Sequence, residues 1–194
     1  ALLRSLPFLA TSHPLGTDGY YYVVQAASWQ HGLHVPDSSW MLRLLGTVAL
    51  FVDPVLATEL TAVGLATAVV PAAWWLGERI GPRASWWLAG WAAASPTLTH
   101  LAADFPKNLA VAAPWLLFCG LLLERRWLAA VLVGLLVATA HKLGAVLVLA
   151  GLLGFGLASL SPRVFAGLGL IGLVLGGLAA LPGTLSPGEG WRLT

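Results

Sequence analysis

The sequence predicts an all-α polytopic membrane protein: about six transmembrane helices behind an extracytoplasmic loop that carries short interfacial helices. Three observations predict it. Of 194 residues, 58% are hydrophobic and only 9% are charged, whereas a soluble domain carries about a quarter charged residues. The charges fall in clusters, and the windows between them approach the roughly 20 apolar residues that a hydrocarbon core of about 30 Å requires per helical crossing. Of ten tryptophans, Trp74, Trp75, Trp86, Trp87 and Trp127 flank the arginine loops, where indoles favour the membrane interface. Water-soluble enzyme folds are excluded. The single cysteine, Cys119 within LLFCGLLL, excludes a disulfide framework and a cysteine zinc cluster. A net charge of +2, dispersed along the chain, speaks against nucleic acid as a partner.

Taken in order, residues 1–10 (ALLRSLPFLA) hold an arginine and a proline, so they form neither a complete span nor a signal peptide. They read as part of a longer polytopic protein, with an earlier helix expected before Ala1 and further chain after Thr194. Residues 13–54 are too polar to span and too apolar to be disordered, and are expected on the membrane surface. Within them, GYYYVVQAASWQH (19–31) puts Tyr22, Ala26 and Trp29 at helical spacing before Gly32, and 38–51 forms a second apolar helix. Spans follow at 60–77, 84–103 and 108–123, each bounded by charges. Residues 127–159 would make one helix of about 50 Å, longer than the hydrocarbon layer, so two short helices are expected to meet at His141-Lys142. The glycine-rich run 164–181, ending at Pro182-Gly183, completes six. The organisation is thus 1–54 extracytoplasmic loop with juxtamembrane helices, 55–182 transmembrane bundle, and 183–194 the start of another extracytoplasmic segment.

Alternating crossings put Glu78, Arg79, Arg83, Glu124, Arg125, Arg126 and Arg163 on one side. Lysine and arginine alone divide five to five between the sides, but the arginine loops GERIGPR, ERR and SPR are short, as cytoplasmic connections are. The other side collects most acids and four of the five histidines. It is assigned outside. An arginine-rich, lysine-poor composition dominated by Ala, Gly, Leu and Trp is that of a GC-rich bacterial genome, hence a bacterial inner membrane.

Candidate chemistry lies on the outer side. Asp18, in HPLGTDGYYY, stands after a Pro-Gly turn and directly before a helix; it is either the N-cap of that helix or a general base or metal ligand. His100, Asp104 and Lys107 share one stripe at i, i+4 and i+7 if a single helix persists through Pro106. The alternative is a helix end, with Asp104 capping the next helix. Lys142 between two short apolar helices is costly at bilayer depth unless it lines a polar cavity. With Asp37, His141 and Tyr21 nearby in this scheme, the outer face holds carboxylates, imidazoles and cations together. No His-x-x-His, Glu-x-x-His or close carboxylate pair occurs, so a divalent metal stays open without a signature. Phosphate loop, dinucleotide fingerprint and GxSxG elbow are absent.

The order of these features resembles a known family. TDGYYYVVQAASWQHG precedes a surface cap and a helix ending in WWLGERIGPR; a second acid follows in SPTLTHLAADFPKN, and then two short helices joined by a lysine turn in GLLVATAHKLGAVLVLAG. From about Pro7 to Pro182 this resembles the N-terminal membrane module of the GT-C glycosyltransferases, which include protein O-mannosyltransferases and lipid A aminoarabinose transferases. The resemblance implies a polyprenyl-phosphate-linked sugar donor, membrane lipids as surroundings and transfer to an acceptor on the extracytoplasmic face. It implies catalytic acids at Asp18 and Asp104 and a phosphate-binding group of Lys142, Lys107 and His141, with Asp37, His100 and Tyr21 as further site residues. Many members carry two adjacent acids in the first loop, whereas this chain has Asp18-Gly19. Two other classes compete. A transporter or flippase component requires ionisable residues deep in its spans and an inverted repeat, and a non-catalytic subunit would use Asp18 and Asp104 only as caps.

Overall fold

The computed structural model describes residues 18–33, 39–104, 106–159, 163, 166–167 and 170–174. Among these, 89% are helical and no strand occurs. Eight helices are named here in chain order: α1 Gly19–Gln30, α2 Trp40–Ala49, α3 Pro54–Ile80, α4 Pro82–Ala94, α5 Pro96–Asp104, α6 Pro106–Leu123, α7 Trp127–Ala140 and α8 Lys142–Ser159. Of them, α3 and α6 are long and apolar enough to cross a membrane. The expected crossing at 164–181 lies largely outside the described residues, as do Ala1 to Thr17.

The two helices expected within 13–54 are present as α1 and α2. Gly32, at φ +67°, ends α1 in a Schellman turn: Leu33 N–H donates to the Ser28 carbonyl at 2.9 Å and Gly32 N–H to that of Trp29 at 3.1 Å. The Gln30 amide then donates to the carbonyls of Ala49 and Val52, tying the end of α1 to the end of α2. Asp53 caps α3, its Oδ1 accepting from Val55 N–H at 3.0 Å and Leu56 N–H at 3.1 Å, with Pro54 in the first helical position.

Helix α3 has 27 residues, about 40 Å at 1.5 Å per residue, and is the post against which α1, α2, α4, α5 and α6 pack. It runs parallel to α6. Near their C-terminal ends Arg79 meets Glu124 at 2.7 Å, and Gly120 of α6 lies under the Trp75 ring of α3. Pro71 stands inside α3 and Pro114 inside α6. One buried cluster joins Tyr22, Met41, Leu42 and Leu45 of the surface helices to Phe118 and Val148. A second joins Ala62, Ala66 and Val69 of α3 to Ala92, Leu98 and Leu109. The cap is therefore part of the core.

The expected single span 84–103 is corrected. Ser95 adopts extended backbone (φ −61°, ψ 116°) and the chain breaks into α4 and α5, because the residue before a proline is driven out of the α region. Helix α5 is described to Asp104 and α6 from Pro106, Phe105 between them lying outside the described residues. The elbow at His141-Lys142 is present as expected, His141 being extended between α7 and α8.

Helix α6 ends in the same hydrogen-bond pattern as α1, with Arg126 N–H on the Leu121 carbonyl and Arg125 N–H on that of Leu122, both at 3.0 Å. Here the left-handed position is Arg125, at φ 56°, where a Cβ costs about 1 kcal/mol. Arg125→Gly is expected to stabilise the protein by about that amount, read as a rise of the thermal midpoint in detergent; an unchanged or lowered midpoint contradicts the assignment.

Candidate active site

Two ends of the bundle differ in chemistry. At the arginine end, Arg79 pairs with Glu124, donates to the Trp75 carbonyl at 2.6 Å and stacks on that indole, its Cζ 3.2 Å from the ring centroid. Trp74 donates to Glu78 at 2.9 Å and meets Trp86 edge-on. These contacts fasten the loop after α3 to the loop after α6, two segments that charge clustering alone places on one side.

At the opposite end the acid-bearing segments meet. Asp18 directly precedes α1 and occupies its N-cap position, yet its side chain accepts no capping bond. The half-buried carboxylate is thus not engaged in the bond that a purely structural role requires. One turn along α1, the Tyr21 hydroxyl lies 3.5 Å from Lys107 Nζ, which also stands 5.3 Å from the Tyr21 ring centroid. Lys107 is in the first turn of α6, three residues after Asp104. This single pair brings the start of α1 to the junction of α5 and α6, across 86 positions of sequence.

Asp104 closes α5 and binds back one turn, its Oδ2 2.8 Å from His100 Nδ1. The carboxylate is 14% exposed and the imidazole 65%. The i, i+4 spacing that suggested a stripe therefore yields a His–Asp pair, with Lys107 in the first turn of α6.

The lysine turn is held separately. His141 Nδ1 accepts from Leu143 N–H at 3.2 Å, and the His141 carbonyl accepts from Gly144 N–H at 2.8 Å. Its ring thus caps α8, which leaves Nε2 as the protonated nitrogen of the neutral imidazole. Lys142 is exposed in the first turn of α8. Its ammonium makes no ion pair among the described residues. Asp37 lies outside the described residues.

Two residues not singled out from sequence hold this turn to the cap. Ser39 Oγ donates to the Ala140 carbonyl at 2.7 Å and Trp40 Nε1 to that of Leu136 at 2.9 Å; the Ala140 carbonyl is one of the last four of α7, which have no helical partner. Serine before a helix reads as that helix's own cap; here it caps another helix 101 positions away, which sequence spacing does not reveal. Among the described residues no group of three or more His, Cys, Asp or Glu is placed to hold a metal ion. Comparison of the chain with protein-family models, curated proteins and solved structures returns no match.

Proposed function

We propose that this chain is the catalytic membrane module of a GT-C-type glycosyltransferase, moving a sugar from a polyprenyl-phosphate-linked donor to an acceptor on the extracytoplasmic face of a bacterial inner membrane. The reading is carried by the contact of Tyr21 with Lys107, which supports one mouth shared by the Asp18 and Asp104 segments at the end away from the arginines. It takes six crossings: α3, the bent α4–α5 pair, α6, α7, α8 and residues 164–181.

Glycosyl transfer needs a group that handles the acceptor proton and a group that meets the charge on the departing phosphate. Asp18 supplies the first role, taking or orienting the acceptor hydroxyl. Lys107 and Lys142 supply the second, with His141 offering Nε2–H to a phosphate oxygen. The lipid tail runs between helices, and α7, with 14 residues and about 21 Å long, falls short of the hydrocarbon thickness, so Lys142 sits within reach of a headgroup.

Orientation is the first test. In a Cys119→Ser background, Asp18→Cys and Asp104→Cys are expected to react with an impermeant thiol reagent applied outside intact cells, and Gly81→Cys and Arg125→Cys to react only after permeabilisation. The reverse pattern removes the site from the face where the donor is used. Turnover is the second: in liposomes containing a C55 polyprenyl-phosphate hexose, the purified protein passes the hexose to water and releases polyprenyl monophosphate, and failure to do so with glucosyl, mannosyl and galactosyl donors defeats the reading.

A further inference from the structure

We propose that His100, held by Asp104, is the base that accepts the proton of the attacking hydroxyl, which leaves Asp18 to orient that hydroxyl. The inference rests on the glycosyl-transfer reading for its substrate, and on the geometry of α5 for the rest.

Asp104 lies one turn after His100 on α5. An acid retained there for solubility would turn to solvent. In this structure the carboxylate is the covered member of the pair, at 14% exposure, and the imidazole the open one, at 65%. A surface ion pair has no need of that order, since either partner gains little from burial. A base with an orienting carboxylate needs it. The carboxylate takes Nδ1–H at 2.8 Å, which fixes the tautomer with the lone pair on Nε2 and stabilises the imidazolium once a proton arrives. The pair stands at the α5–α6 junction, beside the Lys107–Tyr21 contact, so a proton acceptor and a phosphate-binding cation occupy neighbouring turns.

The step balances. The acceptor O–H bond breaks and its proton passes to His100 Nε2 while the acceptor oxygen bonds to C1 of the donor sugar. The bond from C1 to the phosphate oxygen breaks, and its electron pair departs with the polyprenyl monophosphate. The proton leaves His100 to water after release. Asp104 is a positioning residue here and touches no reacting atom.

Two measurements test this. In the first, the intact protein is treated with diethyl pyrocarbonate and acylation is followed at each histidine by mass spectrometry. His100 is expected to react fastest of the five, and Asp104→Asn to slow it about tenfold, the usual scale for loss of an orienting partner. A slow His100, or one indifferent to Asp104→Asn, overturns the pairing as a functional device. In the second, polyprenyl-phosphate hexose turnover is compared in His100→Ala and wild type. The variant is expected to lose about 10²–10³ in kcat with little change in donor KM, and added imidazole to restore part of it, which no structural role predicts. Active wild type with undiminished His100→Ala, or a loss that imidazole leaves untouched, overturns the assignment alone. An inert wild type defeats the glycosyl-transfer reading, and the assignment with it.

Discussion

Asp18→Asn is expected to lower sugar transfer by about 10³ or more while leaving expression and the thermal midpoint where they were. The two halves of this expectation come from one observation. Because the Asp18 side chain makes no capping bond to α1, the amide takes its place without removing any interaction that holds the fold. Asparagine keeps the shape and removes the negative charge that orients the hydroxyl. Asp53 is the contrasting acid, since both capping bonds of α3 end on its Oδ1. Asp53→Ala is expected to cost about 1 kcal/mol of stability and to leave turnover per folded molecule unchanged. Donor turnover and thermal unfolding of the two variants, side by side, separate a working carboxylate from a structural one. Full activity in Asp18→Asn takes Asp18 out of the mechanism.

Gly144→Ala is expected to destabilise the protein by about 2–3 kcal/mol, a large effect for one methyl group. In the first turn of α8, the space that a Cβ would occupy is filled by the carbonyl group of Val137, with Val111 Cγ2 at 3.3 Å on the other side. Neither neighbour can yield cheaply: the carbonyl belongs to the α7 backbone, and Val111 is buried in α6. The elbow must open to admit the methyl, which strains the Ser39 and Trp40 bonds to the end of α7. Thermal unfolding in detergent measures the loss. A midpoint equal to wild type means that α7 and α8 are not locked together at this point.

Some of this architecture is written locally, and that part reads well. Gly32 stops α1 because only a residue tolerant of positive φ fits there, and the break at His141-Lys142 falls where the sequence puts two short helices end to end. The His100–Asp104 pair is legible as i, i+4 spacing within one short helix. What escapes is either a contest between local signals or a tertiary contact. The window from 84 to 103 is apolar throughout, and its hydropathy outweighs Ser95-Pro96, although the backbone obeys the proline. Arg125 in a left-handed position carries no signal, since glycine is the residue that announces such a turn. Tyr21 meeting Lys107, and Ser39 capping α7, depend on how α1 and α2 lie on the bundle, and no spacing encodes that. In a mostly apolar chain the hydrophobic pattern discriminates weakly between faces, so the neighbours of each helix must be learned from packing.

Pro71 and Pro114 carry a mechanical consequence. Each stands nine residues before the end of its helix, Ile80 for α3 and Leu123 for α6, and these ends are clasped by Arg79 and Glu124. The two prolines therefore lie at one level of two parallel rods. Each removes a ladder hydrogen bond, leaving the carbonyls of Thr67 and Ala110 without their usual donors. Bending stiffness is lowest where both rods are notched together, and the clasp makes the arginine end the fixed support. A bend at that level carries the starts of α3 and α6 through the same arc.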